Sequence, residues 1–296
     1  AMAPRSPRRP RLAVTAALAS LAAAPAARAF RGGEGVLARD QCHVQGGPDK
    51  FRDAKEFWKK HGGESWYKRG ASWWEKNSEA SEHGVLNGFE ALGPGDIAAS
   101  AKFLQEAQAK RRGHETKLAL DAGAGIGRIT KHLLSTVYDK VDLLEGSQRM
   151  LDEAPKYLGD QSGHLGHMFQ RELRAFVPPE DQVNHYDTIW VQWVVIYLTD
   201  DDFVQFLKAC ARALKPGGII VIKENVLFEH NGPQHLLPGG GGGGSSAYDG
   251  SVTRSPKLME DIFKDAGLKI DLERAQAPWP DTMLPVTMWS LVPCQP

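Results

Sequence analysis

The residues best suited to chemistry sit in one short stretch, Leu118-Ala-Leu-Asp121-Ala-Gly123-Ala-Gly125-Ile-Gly127-Arg128-Ile-Thr130. Leu118 to Leu120 read as a buried strand and Asp121 to Gly127 as a turn with glycine at alternate positions. From Arg128 the pattern is helical, with Ile129, Leu133, Leu134 and Val137 on one face. Strand, glycine turn and helix start together hold a nucleotide-like cofactor. Glycine lets the backbone come close, and the free N–H groups of the first helical turn point at the ligand. The glycine spacing departs from the G-x-G-x-x-G fingerprint, and Asp121 would repel a pyrophosphate. A second apolar run, Val141-Asp-Leu-Leu-Glu145, ends in a carboxylate at the spacing of roughly 20 residues where an acid accepts hydrogen bonds from ribose hydroxyls. The competing readings are an ordinary glycine turn and a solvated charge at a strand end.

A sheet has to position these groups. Asp187 to Val194 is nearly continuous in apolar residues, as a strand buried on both faces should be, and Ile219 to Lys223 repeats the pattern. Helices fall between. Asp96 reads as an N-cap, followed by Ile97, Ser100, Ala101, Leu104 and Ala107 along one face. Another helix covers Ser147 to Tyr157. Thr199 caps a third, with Phe203, Phe206, Leu207, Cys210 and Leu214 inward and Lys215-Pro-Gly-Gly218 ending it. Ser255-Pro256 opens a last helix, and Leu268–Leu272 with Met283–Val292 form a closing hairpin. Alternating β and α elements ending in two strands imply an α/β fold: a mostly parallel sheet, helices on both faces and an antiparallel edge.

Lys+Arg and Asp+Glu both count 36 in 296 residues, which argues against a dedicated nucleic-acid surface. Cys42, Cys210 and Cys294 lie far apart without C-x-x-C spacing, so neither a disulfide framework nor a metal site is expected. Residues 1–29 carry Arg5, Arg8, Arg9 and Arg11, an alanine-rich run and a small-x-small site at Ala27-Arg-Ala29, the layout of a targeting leader for secretion or a plastid. The run is too short for a stable membrane span, and a disordered tail is the alternative. Residues 30–60 read as linker and the start of an N-terminal extension. Residues 61–110 read as a helical arm, with Trp66-Tyr67 and Trp73-Trp74 among lysines, and 61–296 as the main domain. Basic residues interleaved with aromatics also suit single-stranded nucleic acid, but near-helical offsets and zero net charge favour the arm. Six glycines at 239–244 form a flexible insertion.

The Asp121 turn resembles the first motif of class I S-adenosylmethionine (SAM) methyltransferases, where an acid suits the cationic amino-acid end of SAM. A wider match, roughly Trp66 to Val292, resembles the protein α-N-terminal methyltransferases. It rests on Trp73-Trp74, Leu86-Asn-Gly88, Asp96-Ile-Ala-Ala-Ser100, Asp121 to Lys131, Ile189-Trp-Val-Gln-Trp193, Leu198-Thr-Asp200, Gly218 to Asn225 and Asp249-Gly-Ser251. That resemblance implies a Rossmann-like seven-stranded sheet, SAM as cofactor, and methylation of the N-terminal amine of proteins beginning Xaa-Pro-Lys. It implies that Gly123, Gly125, Arg128, Glu145 and Gln192 hold SAM, with Leu173 near the adenine and Trp74 closing over the methionine end. Trp193 would face the substrate proline, Leu86 and Ser251 would line the peptide groove, Asn225 and Asp249 would bond the amine, and Tyr197 stands where some members carry histidine.

The chain departs from the family at two places. A second acid expected three residues before Asp249, to meet the substrate lysine, is Ser246, and an aromatic expected near the C-terminal hairpin aligns with Leu284. Glu229 is a candidate for the missing charge. The strictness of the lysine requirement is what these changes touch. A small-molecule methyltransferase and a non-enzymatic SAM-fold binding module are the other two readings. Partners are expected to be protein N-terminal tails, with no nucleic acid, no membrane and a monomeric enzyme. The family resemblance points to cytoplasm and nucleus, the leader to a plastid or secretion.

Overall fold

A computed structural model describes residues 42–43, 50–51, 53–111, 117–227, 236–238 and 250–294. The leader, the glycine run, Glu229, Ser246 and Asp249 lie outside the described residues. Seven strands form the central sheet: β1 Leu118–Ala122, β2 Lys140–Glu145, β3 Leu165–Gln170, β4 Tyr186–Gln192, β5 Leu214–Asn225, β6 Leu268–Ala275 and β7 Val286–Pro293. Their order is β6-β7-β5-β4-β1-β2-β3. The pairs β3–β2–β1–β4–β5 are parallel, while β7 runs antiparallel to both β5 and β6. After β1 the chain moves to one side of the sheet, and after β3 it returns to the other. The crevice between the ends of β1 and β4 is therefore the topological switch point, where α/β sheets bind ligands.

Among the described residues the α-helices are α1 Ala54–His61, α2 Glu64–Asn77, α3 Glu82–Val85, α4 Gly93–Ala109, α5 Arg128–His132, α6 Gln148–Leu158, α7 Asp200–Ala213 and α8 Pro256–Asp265. Neighbouring strand residues serve opposite faces. Ala119, Leu143, Trp190 and Val221 pack under α4, α5 and α6, whereas Leu120, Ile189 and Ile222 pack under α7 and α8. Three helix starts are capped as their sequences predict: Ser147 accepts from Met150 N–H, Thr199 from Asp202 N–H and Ser255 from Leu258 N–H, with Pro256 behind it. The aromatic arm packs through edge-to-face rings, Trp66 lying 6.0 Å from Phe57 and 4.9 Å from Trp58.

Four elements differ from their sequence expectations. Asp96 is not an N-cap: α4 begins at Gly93 with Pro94 in its first turn, and the Asp96 side chain points into the protein. The helix after the glycine turn is short, stopping at His132, and a 3-10 turn covers Leu134–Thr136. Strand β5 starts at Leu214, so Lys215-Pro-Gly-Gly218 sits inside it, at a register shift against β4. The edge strand β3 had no sequence signal, because most of its residues are exposed and lack apolar alternation. Among the described residues no helix is long and apolar enough to cross a membrane.

Candidate active site

The glycine turn follows β1. Gly123, Gly125 and Gly127 have φ of 76°, 56° and 80°, in the left-handed region that favours glycine. A Cβ on Gly123 would lie 2.7 Å from the Val194 side chain, so the close approach also requires glycine. Glu145, at the end of β2, joins this turn to the next one. Its Oε2 accepts from Gly125 N–H and its Oε1 from Ser147 N–H, both at 2.9 Å. Burial raises its pKa, opposed by these backbone donors. Asp121 Oδ2 accepts from Thr130 N–H at 3.1 Å and from its hydroxyl at 2.8 Å. Burial nonetheless pushes the Asp121 carboxyl up to about 6.

A cleft of about 320 Å³ opens over these groups, within the usual range for ligand pockets. Helix α2 roofs it with Trp66, Gly70 and Trp74, spaced at four residues so that they share one face. The roof is fastened at both ends. Arg174 pairs with Glu64 at 2.5 Å and lies 4.0 Å over the Tyr67 ring, while Glu75 accepts from the Ser147 hydroxyl at 2.6 Å.

One wall is charged. Asp96, fully buried, accepts from Arg128 Nη2 at 2.8 Å, from Gln192 Nε2 at 3.0 and 3.1 Å, and pairs with Lys223 Nζ at 2.5 Å. Lys223 also donates to the Asp96 carbonyl at 3.1 Å and to Ser100 Oγ at 2.8 Å. Burial pushes Lys223 down to about 8, although Asp96 favours its charged form. Gln192 is committed on its other side too, accepting from Trp190 Nε1 at 3.0 Å. Arg128 Nη1 is buried with no partner. Two cations held by one carboxylate leave a positive surplus, and that free guanidinium nitrogen suits a ligand carboxylate.

Trp193 closes this end. It has φ of 53°, donates its main-chain N–H to the Lys223 carbonyl at 3.0 Å, and carries its ring 5.6 Å from the Arg128 guanidinium and 5.9 Å from Lys223 Nζ. The following turn is held from both sides. Trp66 Nε1 donates to the Tyr197 carbonyl at 2.7 Å, and Arg254 donates to the Val195 and Leu198 carbonyls at 2.9 and 2.6 Å. The Tyr197 ring meets Trp74 edge-on at 6.1 Å.

Of the residues singled out from sequence, Gly123, Gly125, Arg128, Glu145, Leu173, Gln192, Trp74, Trp193 and Tyr197 line this one cleft. Asn225 ends β5, two residues past Lys223 and on the same face of the strand, outside the cleft lining. Leu86, expected in a peptide groove, is buried beside Gly93 and off the cleft, although its neighbour Val85 lines it. Ser251 is buried, and Gly250 before it packs against the Gly70 backbone of the roof. The sequence reading missed Lys223 and Arg174, and gave Asp96 the wrong part. An acid and a lysine at the two ends of otherwise apolar patterns, Asp96 on a helix face and Lys223 inside a strand, were the available signal.

The arrangement can hold a ligand that carries a ribose, an anionic group and a cationic group, with an aromatic face beyond it. Residues 62–292 match the family described as AdoMet-dependent proline di-methyltransferases, AdoMet being SAM. The chain is 37% identical over 233 residues to the alpha N-terminal protein methyltransferase 1 of Caenorhabditis elegans, covering 79% of this chain and 93% of that one. It is 37% identical over 223 residues to the N-terminal Xaa-Pro-Lys N-methyltransferase 1 of Danio rerio, covering 75% and 93%. A solved SAM-dependent methyltransferase of Leishmania major superposes with a TM-score of 0.74 at 33% identity, covering 88% of this chain and 100% of its own.

Proposed function

Because the chain belongs to the family of AdoMet-dependent proline di-methyltransferases, we infer that it transfers methyl groups from SAM to the free α-amino group of proteins that begin Xaa-Pro-Lys. The observation that carries this reading beyond the family is Trp193. Its flat aromatic face stands at the charged end of the cofactor cleft, where a prolyl ring can pack.

The residues present fit SAM. Arg128 Nη1, buried without a protein partner, would hold the carboxylate, and Asp121, in the cleft lining, would meet the ammonium. Glu145 would take the ribose hydroxyls, the glycine turn would admit the backbone close to the ligand, and Leu173 would pack near the adenine. Trp74 would cover the methionine end from the roof. When bound, SAM supplies an electrophilic methyl carbon on a sulfonium.

The chain's own work is to position the amine and take its proton. Trp193 supports the second-position proline, and Asn225 holds the amine by its side-chain amide. A free α-amine has a pKa of about 7.7–8.0, so a weak base suffices to keep it neutral. Asp249 is the group proposed to accept the proton or pass it to water. Alignment of nitrogen and methyl carbon supplies the rest of the rate enhancement.

Incubation with labelled SAM and a Ser-Pro-Lys peptide, beside the N-acetylated copy, tests the reading. Label is expected in the free peptide alone. Equal labelling of the acetylated copy, whose nitrogen is an amide with a delocalised lone pair, would move the acceptor elsewhere.

A further inference from the structure

Arg254 is a charged side chain only 2% exposed, and it lies outside the lining of the cofactor cleft. All three guanidinium nitrogens are engaged. Nε donates to Asp200 Oδ1 at 2.8 Å, Nη1 to the Val195 carbonyl at 2.9 Å and Nη2 to the Leu198 carbonyl at 2.6 Å. An arginine cannot shed its proton to escape burial, so a full charge is carried inside the protein. Such a group adds little stability over a well-packed apolar side chain of similar volume. What an apolar side chain lacks is direction. A planar guanidinium fixes the carbonyls and the carboxylate that it bonds at set angles.

Three segments of the chain converge on this residue. The first is the 3-10 turn Val195–Tyr197, which begins two residues after Trp193 and carries Tyr197 on the cleft lining. Arg254 holds the Val195 carbonyl and the Leu198 carbonyl just past the turn, and Trp66 Nε1 holds the Tyr197 carbonyl between them at 2.7 Å. The second is the end of β5. The Arg254 carbonyl accepts from Leu227 N–H at 3.0 Å, and Arg254 forms a parallel β-bridge with Val226, the residue after Asn225. The third is its own strand, Val252–Arg254, which follows Asp249 after Gly250 and Ser251. Trp193, Asn225 and Asp249, the residues given to the acceptor above, thus each adjoin a segment tied to Arg254. Helix α1 adds a contact from before the family-matched residues 62–292, its Trp58 ring lying 6.0 Å from the guanidinium.

We propose that Arg254 is a positioning residue for methyl transfer: it sets the turn after Trp193 against the end of β5 and the segment following Asp249, and so fixes the spacing of the groups that meet the amine. The proposal rests on the N-terminal acceptor inferred above. Arg254 touches neither cofactor nor substrate in this role. It governs the rate of the aligned complex and leaves cofactor affinity nearly as it is. A misplacement of about 1 Å caused far from the chemistry can cost about a hundredfold in rate.

Single-turnover kinetics with saturating SAM and a Ser-Pro-Lys peptide test this, beside the Kd for SAM and the thermal midpoint. Arg254→Met keeps an unbranched apolar stem and removes the three directed bonds. Its methyl-transfer rate, read well below its midpoint, is expected to fall about a hundredfold while the Kd for SAM stays within about threefold. Arg254→Lys keeps the charge as a point donor, so it should fold and still run about tenfold or more below wild type. Leu272→Ala, in the core beneath α4, is the stability control: it should lower the midpoint and leave the rate unchanged. A merely structural Arg254 would give variants that behave like Leu272→Ala, and a wild-type rate in either Arg254 variant overturns the proposal. So does a loss confined to SAM affinity, with the rate restored at saturating SAM. Should Arg254→Met not fold, Arg254→Lys decides alone. These results leave the N-terminal acceptor standing, whereas a wild-type enzyme inactive on the peptide overturns that reading and the proposal with it.

Discussion

Arg128 donates Nη2 to Asp96 at 2.8 Å and leaves Nη1 buried in the cleft wall without a protein partner. The two residues are 32 apart in the chain, one in the first turn of α4 and the other opening α5. Asp96 fixes the plane of the guanidinium, and the remaining nitrogen is thereby aimed before any ligand arrives. Preorganised donors of this kind act without reorganisation when the ligand binds.

Replacing Arg128 by lysine should therefore weaken SAM binding even though the charge is kept. An ammonium is a point donor and cannot serve Asp96 and a ligand carboxylate in fixed directions at once. Hydrogen bonds to charged groups contribute about 1.5–3 kcal/mol, so calorimetry should show the Kd for SAM rising about 10- to 150-fold. An unchanged Kd would detach Arg128 from the cofactor.

Asp96→Asn is expected to cost stability as well as binding. Arg128 and Lys223 both pair with this carboxylate, and losing one partner of a buried ion pair typically costs about 3–5 kcal/mol. Lys223→Met should cost less, because it leaves Asp96 with Arg128 and Gln192 and replaces a fully buried side chain by an apolar one of similar length. Denaturant unfolding of the two variants gives the order, and equal losses would remove Asp96 from the centre of the network.

The difference between what sequence exposes and what it hides follows from range. The Asp121 turn and Glu145 are readable because their partners, Thr130 and the N–H groups of Gly125 and Ser147, are close along the chain or meet across adjacent parallel strands. The caps at Ser147, Thr199 and Ser255 are local for the same reason. Asp96 fails that test. Its partners lie 32, 96 and 127 residues on, and locally an acid after Gly93-Pro-Gly has the form of a cap. Arg254, which reaches back to Val195, Leu198 and Asp200, is hidden in the same way.

Cofactor binding should weaken in acid. Burial pushes Asp121 up to about 6, against an ordinary value near 3.9. Only the ionised carboxylate attracts the SAM ammonium, so affinity holds above pH 6 and falls as pH drops through that value, by at most about tenfold per unit. Asp121→Asn should bind SAM more weakly at pH 7.5 and lose the dependence between pH 5 and about 7. A wild-type Kd that stays flat across that window contradicts an ammonium contact at Asp121.

Glu224 gives the opposite sign for stability. It is 2% exposed, accepts from Asn225 N–H at 2.9 Å, has Oε2 unpartnered, and burial pushes it up to about 8. A folded pKa above the unfolded one favours the fold while the group is protonated. That contribution is complete below about pH 4.3 and is lost as pH rises through 8, at up to about 1.4 kcal/mol per unit. Glu224→Gln mimics the neutral acid at every pH. Its stability relative to wild type should climb between pH 5 and 8 and then level, a trend that unfolding curves across pH can measure.

The last expectation concerns the amine. Asn225 sits two residues beyond Lys223 on one face of β5, opposite Val286 and outside the cleft lining. The role proposed for this side chain is to hold the acceptor amine and not the cofactor. Asn225→Ala should therefore lower the methyl-transfer rate while the Kd for SAM barely moves. One positioned hydrogen bond to a reacting group is worth about 2.7–4 kcal/mol, by analogy with oxyanion-hole donors, so kcat is expected to fall on the order of a hundredfold or more. Single-turnover rates with a Ser-Pro-Lys peptide separate this from slow product release. A kcat preserved with a raised KM would make Asn225 a binding contact that acts equally on substrate and transition state. An undiminished kcat/KM would take Asn225 out of the acceptor site altogether.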